Sequence, residues 1–237
     1  MSEGPGSEGG SEGPMSEGTG GAAPSDRASS DRAPADRALD AFLELVAEKG
    51  FAGVALRDVA QAAGLGFAEL YRLHPDKASL AIAFLKRVDG GVLAGTLTTV
   101  DEEETARDRL FEVMMRRYDS LKSHRQAWQA LRQAARRDPL LALALAPALR
   151  RSMAAMLEAA SIPSDGLAGA MRQNGLLAIH HAVSRVFDGD ETGDLSKTMA
   201  ALDSRLKTAE RWSQLFDKYT RSPKPGNATE SPVSPAA

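Results

Sequence analysis

Of the side chains in this 237-residue chain that could do chemistry, few stand in the pattern that chemistry needs. His180 and His181 are adjacent, so on a helix they point about 100° apart and cannot grip one metal ion as an i, i+4 pair would. The run Asp188-Gly189-Asp190-Glu191-Thr192-Gly193 opens like a calcium loop. Its twelfth position, however, is Met199, where a bidentate glutamate is required, so the run reads as an acidic loop between helices. No glycine-rich phosphate cradle and no nucleophile elbow occurs. The chain has no cysteine, which removes thiol nucleophiles and disulfides. The expectation is a protein that is not an enzyme and takes no metal and no cofactor. What remains is recognition chemistry, with Arg57, Arg72 and Lys77 as groups that could neutralise phosphates.

The elements that would hold those cations are short helices. Leu39, Phe42, Leu43, Val46 and Ala47 recur at helical spacing, so residues 37 to 49 form a helix with one apolar face, stopped by Gly50. Arg57 and Asp58 open the next helix, with Val59, Ala62 and Ala63 facing inward, and Gly64-Leu65-Gly66 supplies a sharp turn pinned by Leu65. Phe67 to Leu73 then form a second short helix. Pro75-Asp76 ends it and caps a long helix from Lys77, because the residue before proline disfavours helix and aspartate accepts orphan amide hydrogens. This is the shape of a helix-turn-helix, whose second helix enters a DNA major groove. In that reading Arg57, Gly66, Phe67, Glu69, Tyr71, Arg72 and Lys77 face DNA, with Tyr71, Arg72 and Lys77 on phosphates. From Arg37 to Gly90 there are seven basic and seven acidic residues, so the unit is neutral. Glu69 would repel phosphates unless it accepts a hydrogen bond from a cytosine amino group.

The run Glu48-Lys49-Gly50-Phe51, Arg57-Asp58-Val59-Ala60, Ala63-Gly64-Leu65 and Leu70-Tyr71-Arg72, closing on Lys77 and Leu80, resembles the N-terminal DNA-binding domain of the TetR/AcrR family of one-component repressors. The resemblance covers about residues 37 to 85 and departs from the family pattern at Gly66, Glu69 and His74. It implies an all-α fold, a homodimer, double-stranded operator DNA as partner, and a larger helical ligand-binding and dimerisation domain after the motif. A second resemblance rests on Glu69-Leu70-Tyr71-Arg72 and on the run from Asp194-Leu195 through Thr198-Met199-Ala200-Ala201-Leu202-Asp203 to Arg205-Leu206. These look like a TetR-like branch related to the ubiquinone-biosynthesis accessory family. That resemblance implies a lipid-binding accessory protein without DNA activity.

The chain divides accordingly into a tail over 1–36, the helix-turn-helix unit over 37–85, a helical domain over 86–219 and a second tail over 220–237. Ser-Glu-Gly repeats and Asp-Arg-Ala steps fill the first tail, and four of the 12 prolines lie in the second, so neither can bury enough apolar surface to offset its ordering entropy. No apolar run approaches the roughly 20 residues of a membrane span, so no transmembrane segment is expected and a cytoplasmic location is the default. The formal charge of −3 hides a strongly basic stretch, since Arg107 to Arg151 holds eleven bases against four acids. Arg109, Arg116, Arg117, Arg125, Arg132, Arg136 and Arg137 alternate there with Leu110, Val113, Met114, Leu121, Trp128 and Leu131, which predicts helices that expose a solvated cationic stripe. An anionic lipid surface or acidic protein is the other use of such a stripe. Pro139 starts an Ala/Leu-rich helix that is apolar all round, with Pro147 expected to kink or divide it. Further helices are expected from Ile162-Pro163-Ser164 to Phe187 and from Leu195 to Tyr219. A small apolar or lipid-like effector would sit among Met114, Trp128, Leu131, Met153, Met156, Leu177, His180 and Phe187.

Overall fold

The computed structural model describes Met1, residues 33–96 and residues 103–220, with the side chains of the last helix up to Arg211. The described residues form nine α-helices and no strand. Helix α1 spans Pro34–Lys49, α2 Leu56–Ala62, α3 Phe67–Leu73 and α4 Lys77–Ala94. Helix α1 starts three residues before the expected position, because Pro34 sits at its first turn where a fixed φ and a missing N–H cost nothing. The rest of the expected N-terminal tail, and the tail after Thr220, lie outside the described residues.

The corners follow the glycines and caps. Gly50 and Gly64 take φ of 71° and 63°, a left-handed geometry that a Cβ disfavours. The Asp58 carboxylate accepts the Ala55 amide at 3.1 Å, and Asp76 accepts the Ser79 amide at 2.7 Å to cap α4. Phe42, Val46, Val59, Leu70, Leu80 and Phe84 are buried between the four helices.

The larger part comprises α5 (Ala106–Lys122), α6 (Arg125–Arg137), α7 (Pro139–Ala159), α8 (Gly166–Asp188) and α9 (Ser196–Thr220). Helix α4 packs along α7, α8 against both α7 and α9, and α1 reaches α6. The expected domain boundary at 85/86 therefore cuts through α4, which is one continuous helix shared by both parts.

Several expectations are corrected here. Helix α7 is not divided at Pro147, because that face is exposed and water can take the carbonyl of Leu143, itself 71% exposed. Nor is α7 buried on most sides, since Leu140 and Leu143 face solvent. With 21 residues and a mean hydropathy of 1.4 it is long and apolar enough to cross a membrane, against the expectation that no such run exists. Its inner stripe, Leu141, Leu145, Met153, Met156 and Leu157, is buried in the protein core. Helix α8 begins at Gly166 and not at Ile162. Ser161 ends α7 at a φ of 57°, and the Ser164 carbonyl lies over the first turn of α8, where it would come within 1.9 Å of a Cβ at Gly169.

The arginine stripe also departs from expectation. Arg117 is fully buried and donates to Asp89 of α4, while Ser152 of α7 donates to the same carboxylate at 2.7 Å. Arg109 donates to the Ala160 carbonyl at 3.0 Å, and Arg125 donates to the Asp190 carbonyl and lies 4.5 Å from the centre of the Phe187 ring. Arg132 donates to the Ser184 carbonyl at 2.9 Å and to the Asp188 carboxylate. These guanidiniums face inward because their fork of donors reaches carbonyl and carboxylate groups of neighbouring helices and of the turns after α7 and α8.

The acidic loop is structural. Asp190 is fully buried and accepts from the Thr192 amide and hydroxyl at one oxygen and from the Thr198 amide and hydroxyl at the other. Burial pushes its carboxyl up, but these hydrogen bonds outweigh burial and hold it well below the usual aspartate range. It thereby fastens the first turn of α9.

The part-buried Asp89 and the buried Asp190 each contribute measurably to stability. Asp89→Ala strands a fully buried guanidinium, which costs about 3 kcal/mol or more and lowers the melting temperature by roughly 6–12 °C, whereas Asp89→Ala/Arg117→Met, which removes the stranded charge as well, recovers part of it. Asp190→Ala also lowers stability. The folded carboxyl titrates below its unfolded value of about 3.9, so its contribution is complete above that pH and is lost as pH falls further. Urea unfolding should therefore show a constant gap between wild type and Asp190→Ala from about pH 5 to 7 and a shrinking gap below about pH 4.

Candidate nucleic-acid interface and effector cavity

Two features of this fold can recognise partners, and α4 touches both. The first is the outer face of α3. Leu70 is its buried residue, and Phe67 and Tyr71, at i and i+4, are 47% and 56% exposed with Ala68 and Arg72 exposed beside them. Arg57 of α2 sets its guanidinium over the Phe67 ring at 5.9 Å, so a cation and an aromatic from two helices share one surface. Gly66 caps α3 with an ordinary negative φ and open space around it.

The structure places the other two predicted residues differently. The Lys77 ammonium donates to the Phe51 carbonyl at 2.8 Å and lies 4.6 Å from the centre of the Phe51 ring. Burial lowers its pKa. Lys77 thus ties the start of α4 to the loop before α2. Glu69 is half-buried and shares a small recess with Arg72, Leu73 and residues Ala33 to Ala35. That recess borders the start of α1, whose first turn has no side-chain cap.

The neutral charge count resolves in the same way. Asp40 pairs with Arg87, Asp58 and Asp76 cap helices, and Asp89 is held by Arg117 and Ser152. Arg57 and Arg72 stand exposed on the face of α3, so the charges are sorted by position.

The second feature is a cavity of 290 Å³ between α4, α6, α7 and α8. Ala81 and Leu85 line it from α4, Trp128 and Leu131 from α6, Leu145 and Leu149 from α7, and Leu177 from α8. Of the residues expected around an effector, Trp128, Leu131 and Leu177 are in this wall. Met114, Met153, Met156, His180 and Phe187 do not line it; all five are fully buried in the core. His180 Nδ1 and the Tyr118 hydroxyl are 3.0 Å apart, and the His180 ring packs 5.7 Å from the Trp128 ring. Burial and the nearby Arg117 push the His180 pKa well below its ordinary value, so the ring is neutral. His181 faces the cavity instead, with Arg132, Arg136 and Arg185. Sequence reasoning missed these four, although the i, i+4 spacings 132/136 and 181/185 put each pair on one helix face. Among the described residues no cluster of side chains could hold a metal ion.

Comparison with known proteins identifies the architecture. The family model described as bacterial regulatory proteins, tetR family, matches residues 38–84. No curated protein matches the chain. Among solved structures, a TetR transcriptional regulator from Nitrosomonas europaea superposes with a TM-score of 0.61 at 19% identity, over 75% of this chain and 98% of that one. A TetR transcriptional regulator from Rhodococcus sp. RHA1 gives 0.56 at 21%, over 77% and 96%. Salmonella enterica GusR gives 0.53 at 18%, over 74% and 94%. At these identities the likeness is one of fold.

A phosphate contact by Arg72 has a measurable signature. Arg72→Ala should weaken binding to every duplex alike and reduce the slope of log K against log salt by about 0.9, with the melting temperature unchanged because the side chain is exposed. Lys77→Ala should lower the melting temperature as well. An unchanged salt slope in Arg72→Ala would remove Arg72 from the interface.

Proposed function

On the premise that residues 38–84 are a TetR-family helix-turn-helix domain borne on a TetR-regulator fold, we propose that this protein is a dimeric, ligand-responsive transcriptional regulator. Helix α3 enters the major groove with Phe67, Tyr71 and Arg72, flanked by Arg57 and Gly66. Glu69 sits at the edge of that face, against the start of α1. Two copies set their α3 helices on half-sites about 34–36 Å apart, one helical turn of DNA. Leu167 and Met171 of α8 and Met199 of α9 are exposed, and they offer apolar surface that a second copy would cover.

The observation that carries this reading is the position of α4. It starts directly after the recognition helix and contributes Ala81 and Leu85 to the cavity wall. A small apolar or lipid-like effector in the cavity thus contacts the helix that sets the orientation of α3. If it fits best when α4 is displaced, it shifts the population toward a spacing that no longer matches successive grooves, and operator affinity falls by its differential affinity for the two states.

Fluorescence anisotropy with the protein's own upstream DNA and with a scrambled duplex, at two salt concentrations, tests the proposal. The expected result is a preference for one upstream fragment of at least tenfold, retained as salt rises. No preference for any upstream fragment, even at low salt, would replace the regulator reading with that of a lipid-binding accessory protein.

A further inference from the structure

The cavity is apolar inside and cationic where it meets solvent. Its buried wall residues are aliphatic or aromatic, while Arg136, His181 and Arg185 are exposed and Arg132 lies between. No acidic side chain lines it. Arg132 is neutralised by Asp188. Arg136 and Arg185 have no ion pair among the described residues, although they share one cavity. Burial first, and then the positive charges of Arg132 and Arg185, lower the pKa of His181, so Arg185 stands close to this cavity-lining histidine.

The guanidiniums of Arg136 and Arg185 line one cavity and have donors free for an anion. Each presents a planar fork of donors that matches a carboxylate or phosphate. Inside, 290 Å³ is space for roughly ten methylene-sized groups, taking water's share of liquid volume, about 30 Å³, for each. We infer that the effector is an anionic amphiphile: an apolar body of about eight to ten carbons in the cavity, carrying a carboxylate or phosphate held by Arg136 and Arg185. This rests on the effector role proposed for the cavity and gives that effector a chemical class.

The fluorescence of Trp128 in a Trp212→Phe background reads occupancy directly, because Trp128 lines the cavity. The probes share one chain length: octanoate, octyl phosphate, octanol and octyltrimethylammonium. The anions should bind at least tenfold more tightly than the alcohol, and the ammonium least. Whichever of octanoate and octyl phosphate binds more tightly identifies the head. Arg136→Ala/Arg185→Ala should bring the anions down to the affinity of octanol while leaving octanol unchanged, and Ala142→Phe, which fills the cavity, should abolish binding of all four.

Binding of both octanoate and octyl phosphate no tighter than that of octanol overturns the inference, as does a preference that survives the double variant. The same preparation is assayed on DNA. If it binds none of the four probes yet prefers its upstream fragment, this inference fails and the regulator reading stands. If it binds octanoate or octyl phosphate through the two arginines but shows no upstream preference, the ligand class stands and the regulator reading fails.

Discussion

Asp89 is the point on which the two halves of this protein depend. It lies on α4 and receives the fully buried Arg117 of α5 and the Ser152 hydroxyl of α7. A guanidinium removed from water is tolerable only while its carboxylate stays in place, so this contact fixes the register of α4 against the larger domain. Nε and Nη2 of Arg117 have no partner among the described residues, which makes the site costly and the one remaining pair more constraining. On the other side, α4 holds the helix-turn-helix through the Asp76 cap, the Lys77 bond to Phe51, the Arg87 pairs with Asp36 and Asp40, and buried Leu80 and Phe84. Whatever moves α4 moves α3.

The same accounting explains how a domain of balanced charge can carry a cationic recognition face. Asp40, Asp58, Asp76 and Asp89 are placed at helix ends or beside cations, where they are compensated, and the exposed Glu44 and Glu48 stand on α1. The exposed face of α3 is left with Arg72, Tyr71 and Phe67, joined by Arg57. Net charge describes solubility and long-range attraction, whereas the field at a docking face depends on which charges already have partners.

What was legible in the sequence was whatever obeys a local rule. The apolar period from Leu39 to Val46, the Gly64-Leu65-Gly66 corner and the Pro75-Asp76 stop each act within one or two turns, and the helices follow them closely. Arg117 was not legible, because its burial depends on a carboxylate that arrives from another helix. The methionines illustrate the same limit. Met114, Met153 and Met156 have the flexibility expected of an adaptable pocket, yet the crossing of α5 and α7 puts them in the core. The cavity is a property of how four helices meet, and only those of its residues that repeat at i, i+4 left a trace in one dimension.

The positions of pin and cavity along α4 also bear on the proposed mechanism. The cavity wall formed by α6 and α8 is cross-tied, with Gln129 donating to the Asp188 carbonyl at 2.8 Å, Arg132 bonded to Asp188 and Arg125 to the Asp190 carbonyl. The opposite wall, from α4 and α7, meets the cavity through the apolar side chains Ala81, Leu85, Leu145 and Leu149, and its polar tie lies further along α4, between Asp89 and Ser152. At about 1.5 Å per residue, Leu85 lies roughly 6 Å and Ala81 roughly 12 Å from Asp89, while Lys77 lies roughly 18 Å away. A helix pinned at Asp89 and pushed between 81 and 85 therefore swings its first residue about one and a half to three times as far as the push itself. Since Asp76 and Lys77 fasten that end to the helix-turn-helix, a small displacement at the cavity becomes a larger one at the recognition helix.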